Sequence, residues 1–192
     1  MLISPNTQLD AVNVIIGSIG ESPVNSIENP TNVDVINAIS ILNRLNRSEQ
    51  SRGWSFNILK SFTLNPDYFS KKIAWSDSFL RIKGTDGTRY VKRGAYLFNF
   101  DKQTDIFPSA ITVECIQLVP FDEMPEPMRQ YITAEAAQDF QMRYLGDDTL
   151  AQSLAVETHK AWSALQEYEI EMNNPNMLDN PEVAKIALRW RY

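Results

Sequence analysis

Between Leu42 and Asn57 the run LNRLNRSEQSRGWSFN changes the interval at which its apolar residues recur. Before Gln50 they fall three and four apart, the spacing of one helix face. Gly53 suits the left-handed backbone of a helix C-cap, and Arg52 sets positive charge at the negative end of the helix dipole. Trp54 and Phe56 then lead into sequence with a period of two. A helix that hands over to strand-forming sequence within a few residues requires a helical part and a β-rich part joined at that point.

The spacing of Leu9, Val12, Ile15, Ile16 and Ile19 predicts a first helix over 7–19, closed by Gly20. Thr31 with Asp34 reads as a capping box for a second helix, whose apolar face carries Val35, Ile39, Leu42 and Leu45. Asn43, Arg44, Asn46 and Arg47 make its other side polar. Short strands are expected at Phe56 and Ile58, Phe62 and Leu64, Ile73 and Trp75, Leu80 and Ile82, and Tyr96 and Phe98. Gly84-Thr85-Asp86-Gly87 and Arg93-Gly94 read as hairpin turns. The apolar run Ile111–Val119 reads as a central strand returning the chain to the helices.

PFDEMPEP (120–127) is a stiff connector that sets Asp122, Glu123 and Glu126 before the next helix, whose N-terminal dipole favours them. A third helix over 127–145 carries Ile132, Ala136, Phe140 and Tyr144 and ends at Gly146. A fourth over 147–173 carries Leu150, Leu154, Ala161, Leu165, Tyr168 and Met172, with Thr158 filling a gap, a seam suited to antiparallel packing on the third. The fold class expected is therefore α+β: a discontinuous helical bundle of about four helices over 1–53 and 120–174, with a β-rich domain inserted at 54–119 between helices two and three. The tail, 175–192, ends in Ile186, Leu188, Arg189, Trp190, Arg191 and Tyr192, too apolar for a solvated end. It either folds back on its own bundle or docks into a neighbour.

Charge is divided along the 192 residues. From Arg52 to Lys102, ten Lys and Arg face four Asp, whereas from Asp122 to Met172 eleven carboxylates face three cations. Two solvated faces of opposite sign would account for this, as would complementary surfaces on partners. No apolar run approaches the ~20 residues that span a bilayer, and MLISPNTQLD lacks the basic and apolar regions of a secretory signal. A single cysteine, Cys115, forms no intrachain disulfide, and a single histidine, His159, anchors no clustered metal site. No cofactor is implied, and the cytoplasm, or a particle assembled there, is the expected compartment.

Catalytic signatures are equally sparse. There is no Gly-rich phosphate loop, GxSxG or HExxH. Two-carboxylate hydrolysis of a polysaccharide needs only a suitable Asp/Glu pair. Asp122 with Glu123, and Asp147 with Asp148, qualify, but each pair precedes a helix and is explained by capping. The β-rich segment interleaves Tyr68, Phe69, Trp75, Phe79, Tyr90 and Tyr96 with Lys71, Lys72, Arg81, Lys83, Lys92 and Arg93, as a single-strand nucleic-acid platform would. A small lobe needs most of those aromatics for its core, however, and a pI near 4.9 opposes avid phosphate binding. What remains is a structural or assembly role.

The stretches AVNVIIGSIGESPVNSIE (11–28), ILNRLNRSEQSRGWSFNI (41–58), YVKRGAYLFNFDKQTDIF (90–107), FDEMPEPMRQYI (121–132) and YEIEMNNPNMLD (168–179) together resemble the tail tubular protein A family, the adaptors of short-tailed phages of the T7 group. The resemblance is collinear over nearly the whole chain. It implies a non-enzymatic virion protein forming a twelve-membered ring at the head-to-tail joint. The ring would lie between the portal protein and the nozzle (tail tubular protein B), with the β-rich lobe expected to contact the nozzle or the tail fibres, double-stranded DNA passing through the lumen and no membrane involved. On that reading Arg44, Arg47 and Arg52 are expected at the contact with acidic residues of the next subunit. The tail residues Ile186, Leu188, Arg189, Trp190, Arg191 and Tyr192 are expected to engage the portal or a neighbouring subunit.

Overall fold

A computed structural model describes residues 7–173 of the chain. Four helices frame it in sequence: α1 (Gln8–Gly17), α2 (Val33–Gln50), α3 (Glu126–Tyr144) and α4 (Asp148–Asn173). Between α2 and α3 lie five strands, β1 (Ile58–Leu64), β2 (Phe79–Gly84), β3 (Tyr90–Arg93), β4 (Tyr96–Asn99) and β5 (Ile111–Gln117). This is the α+β arrangement expected, with the strands inserted between helices two and three.

The helices begin where side chains satisfy their free N–H groups. Thr7 and Asp10 form a reciprocal capping box at α1, with Thr7 N donating to Asp10 Oδ2 at 3.0 Å and Asp10 N to Thr7 Oγ1 at 3.2 Å. The box expected at Thr31 is absent. Asn32 caps α2 instead, its Oδ1 accepting from Asp34 N at 2.8 Å, which starts the helix one residue later and leaves Thr31 outside it. Asp147 Oδ1 accepts from Leu150 N (2.8 Å) at the start of α4. Gly146, at φ +70°, separates α3 from α4.

One apolar core lies among the helices. Val12, Ile15 and Ile16 of α1, Val35, Leu42 and Leu45 of α2, and Met128, Ile132, Ala136 and Phe140 of α3 are buried in it. Tyr144 is 48% exposed and leaves the expected row, its ring lying against that of Phe140 at 4.5 Å. The seam expected on α4 is thinner than its spacing suggests. Leu165 alone is buried there, Leu154, Ala161 and Tyr168 are half-buried, and Met172 is exposed, because α4 packs chiefly against α3 and presents its other side to solvent.

A second core lies within the β-rich insert, around Leu64, Ile73, Phe79, Ile82, Leu97, Phe107, Val113 and Cys115. The main sheet has the order β1-β5-β2, antiparallel throughout, with Leu59 and Ile82 both opposite Cys115, so β5 is central as its apolar run predicts. β3 and β4 form a hairpin through Gly94 (φ +62°), and Gly84–Gly87 turns from β2 toward β3, with Gly87 N donating to Gly84 O at 2.9 Å. Two expected strands are corrected. Phe56 lies in a turn before β1 and packs on the helical core. Ile73 to Trp75 forms only an isolated bridge, Ala74 to Tyr96, because the segment turns away at Ser76; Ile73 is nonetheless buried.

Candidate functional site

The two cores meet at the junction singled out by the sequence, and buried amides stitch it. Gln50, fully buried at the end of α2, grips the backbone of Val119: its Nε2 donates to Val119 O (2.9 Å) and its Oε1 accepts from Val119 N (2.8 Å). Asn57 Nδ2 donates to Gln50 O (3.0 Å) and Gln117 O (3.1 Å), while its Oδ1 accepts from Trp54 N (2.8 Å). The outgoing and returning chains are thereby tied to each other and to α2. Each such bond contributes about 0.5–1.5 kcal/mol, and breaking one side leaves a buried polar group unpaired. Gly53 makes the close approach possible: at φ +83°, a Cβ there would stand 2.7 Å from Ile116 Cδ1.

α4 closes over the same joint. Glu169 accepts from Ser55 N (3.0 Å) and Ser55 Oγ (2.8 Å) across 114 residues of sequence. Trp162 meets Trp54 edge to face with ring centroids 5.8 Å apart, lies 5.0 Å from the Tyr131 ring, and sits beneath the Arg52 guanidinium at 5.8 Å. Neither Gln50, Asn57 nor Glu169 stood out in the sequence. A glutamine inside an apolar helix face was the one visible signal.

The three arginines expected at a subunit contact differ in their surroundings. Arg44 pairs with Asp139 of α3, which also accepts from Arg143 Nε at 2.7 Å. Arg52 lies 3.1 Å from Glu49 Oε2, an ion pair without hydrogen-bond alignment. Arg47 is exposed and makes no ion pair among the described residues. Arg44 and Arg52 are each about half exposed, so their outer edges also face solvent. Ile186, Leu188, Arg189, Trp190, Arg191 and Tyr192 lie outside the described residues.

Near Arg52 a buried carboxyl, Glu49, and a half-buried one, Glu135, act on each other. Glu49, 3% exposed, has its carboxyl held above the ordinary range by burial, then by Glu135, with Arg52 acting against them. Glu135 Oε2 is buried without a hydrogen-bond partner among the described residues. Burial, then the same two carboxylates, pushes the Tyr131 hydroxyl up as well.

One carboxylate of each pair weighed for hydrolysis, Asp122 and Asp147, has a structural partner. Asp122 Oδ1 accepts from Gln8 N at 2.8 Å, so it closes the first turn of α1 from across the fold, and its carbonyl accepts from Arg129 Nη1 at 3.1 Å. Glu123 and Asp148 are exposed, and Asp147 caps α4. Cys115 is buried in β5, and desolvation lifts its thiol to about 11, which keeps it protonated and unreactive at neutral pH. His159 is exposed on α4. Among the described residues no helix is long and apolar enough to cross a membrane, and no three His, Cys, Asp or Glu side chains group as metal ligands.

A family model described as "Tail tubular protein" matches residues 9–175, which takes in the helices and the insert alike. Tail tubular protein A of Klebsiella phage KP34 is similar at 27% identity over 154 residues, covering 80% of this chain and 81% of its own.

Proposed function

The chain belongs to the tail tubular protein family, structural components of the phage tail that assemble with other tail proteins, and from that premise we propose that it is the adaptor ring of the head-to-tail joint. In this reading twelve copies close around the tail axis, assembled in the host cytoplasm. The portal protein lies on one side and the tail nozzle protein, with the fibres near it, on the other. Heterologous side-by-side contacts repeat around such a ring, so moderate interfaces add up to a stable collar. The C-terminal segment, Ile186 to Tyr192, engages the portal or the next copy.

The observation that carries this reading is the charge on the free face of α4. Asp148, Glu157, Glu167 and Glu171 are exposed there against a single exposed Lys160. Over residues 7–53 and 120–173, sixteen carboxylates stand against six Lys and Arg, while 54–119 carries nine Lys and Arg against six carboxylates. A channel lined by α3 or α4 therefore repels DNA phosphates and lets a genome slide, where a basic channel would grip it. Mixing the chain with its phage's portal protein tests the reading by negative-stain microscopy. A second ring stacked on the portal is the expected result; portal particles that stay bare at every mixing ratio overturn it.

A further inference from the structure

We propose that Glu49 is a proton-operated catch on α4: with its carboxyl neutral α4 lies closed over the joint, and with it ionised α4 lifts toward solvent. Glu49 lies on the buried side of α2, one residue before Gln50, in surroundings poor in donors. Its Oε2 is buried with no hydrogen-bond partner among the described residues, and so is that of Glu135 on α3. The opposite charge at hand is Arg52, 3.1 Å away, whose side chain is 57% exposed. An ionised Glu49 is therefore kept from water beside one half-solvated cation and a second carboxylate, an unfavourable place for charge. The neutral form avoids this. In keeping with it, burial first and then Glu135 hold the carboxyl above its ordinary range, with Arg52 opposing them.

α4 is joined to this carboxyl through both of its flanking groups. Arg52 and Tyr131 each lie against Trp162, at 5.8 and 5.0 Å. The Tyr131 hydroxyl in turn is pushed up by burial and then by Glu135 and Glu49. Arg52, Tyr131, His159 and Trp162 line a groove of about 400 Å³ at this edge. Lifting α4 removes one wall of the groove and lets water reach Glu49, supplying the donors that the closed joint lacks. The hold on α4 is light enough to yield. Leu165 is its one buried side chain, Glu169 ties it to Ser55, and Gly146, at φ +70° with nothing within 4 Å of a Cβ there, joins it to α3.

The charged and titratable groups around Glu49 are Arg52 just past α2, Glu135 and Tyr131 on α3 and, across the groove on α4, His159. With α4 lifted, a hydrated Glu49 holds its proton less tightly than in the closed joint. The closed state is thus favoured at low pH, and that preference fades as pH rises through the raised value. The reverse coupling, in which ionised Glu49 draws Arg52 onto Trp162 and tightens α4, requires a stronger pair. The 3.1 Å contact has no hydrogen-bond alignment, and its cation is more than half exposed.

Native-state hydrogen exchange of the full chain at pH 5 and pH 8 tests the catch, each amide being corrected for its intrinsic rate so that the opening equilibrium is read. α4 is expected to open ahead of α1 to α3 at both pH values. Its opening should be about tenfold greater at pH 8, the change that one pK unit between closed and lifted states brings. Glu49→Gln should bring α4 opening to one level at both pH values, and His159→Gln should leave the tenfold ratio in place. Arg52→Gln keeps the carboxyl but removes its counter-charge, so it should widen the ratio; it also serves as the second reading if Glu49→Gln does not fold. Equal α4 opening at the two pH values in the wild-type chain overturns the proposal, as does α4 opening no more readily than α1 to α3. A ratio that survives Glu49→Gln, disappears in His159→Gln or narrows in Arg52→Gln overturns it too.

Discussion

Residues at the joint show what local chemistry reveals and what it hides. Gly53 was legible because a helix C-cap is a property of a few neighbours; its second duty, making room for Ile116, depends on a strand some sixty positions later in the chain. Gly53→Ala is expected to destabilise by about 1–3 kcal/mol, from the positive φ and the 2.7 Å clash together. Gly146→Ala, at φ +70° with nothing within 4 Å, should lose about 1–2 kcal/mol from backbone strain alone. Urea unfolding of the two variants separates these terms. Glu49 allows a pH test. A carboxyl raised above its unfolded value binds its proton more tightly in the folded chain, so the contribution of Glu49 to stability is greatest at low pH and falls as pH rises from about the ordinary 4.5 through the raised value. Ionised Glu49 is then a net burden at neutral pH. Glu49→Gln should raise Tm at pH 8, with the gain shrinking toward pH 4.5; a lower Tm at pH 8 would mean that its pairing with Arg52 outweighs burial. The bonds that Asp122 makes to α1 and Glu169 makes to Ser55 were not legible in the sequence, because each joins groups 114 positions apart.

At the level of elements, periodicity finds a helix or strand wherever a face is buried along most of its length. α1, α2, α3 and β5 meet that condition, and all four were visible. α4 meets it only in part: its spacing predicts a continuous seam, yet one side chain is buried. The segment 73–75 has strand composition without a second neighbour to extend a ladder, which no pattern within the segment can report. The thin seam makes α4 the most easily loosened helix of the bundle. Leu165→Ala is expected to remove about 2–5 kcal/mol of packing from it. Hydrogen exchange should show α4 amides losing protection ahead of α1 to α3. Uniform loss across all four helices would show instead that α4 opens only with the whole bundle.

For the whole molecule, the division of charge and the stitched joint bear on assembly. Arg47 is exposed and unpaired among the described residues, whereas Arg44 and Arg52 have partners within the chain. Of the three, Arg47→Glu should therefore weaken ring formation on a portal most while leaving the melt of the isolated chain within about 0.5 kcal/mol of wild type, as for surface changes generally. Rings formed at wild-type efficiency would remove Arg47 from the contact. The tail, Ile186 to Tyr192, was legible as composition only and lies outside the described residues. Trp54 and Trp162, held edge-on across the joint, have an optical consequence. Two indoles that close share their excited states, and their ultraviolet transitions split into a couplet of opposite-signed bands in circular dichroism. That couplet exists only while α4 lies on the junction, so the native chain carries its own gauge of α4 docking, readable without a label in the free and the assembled protein.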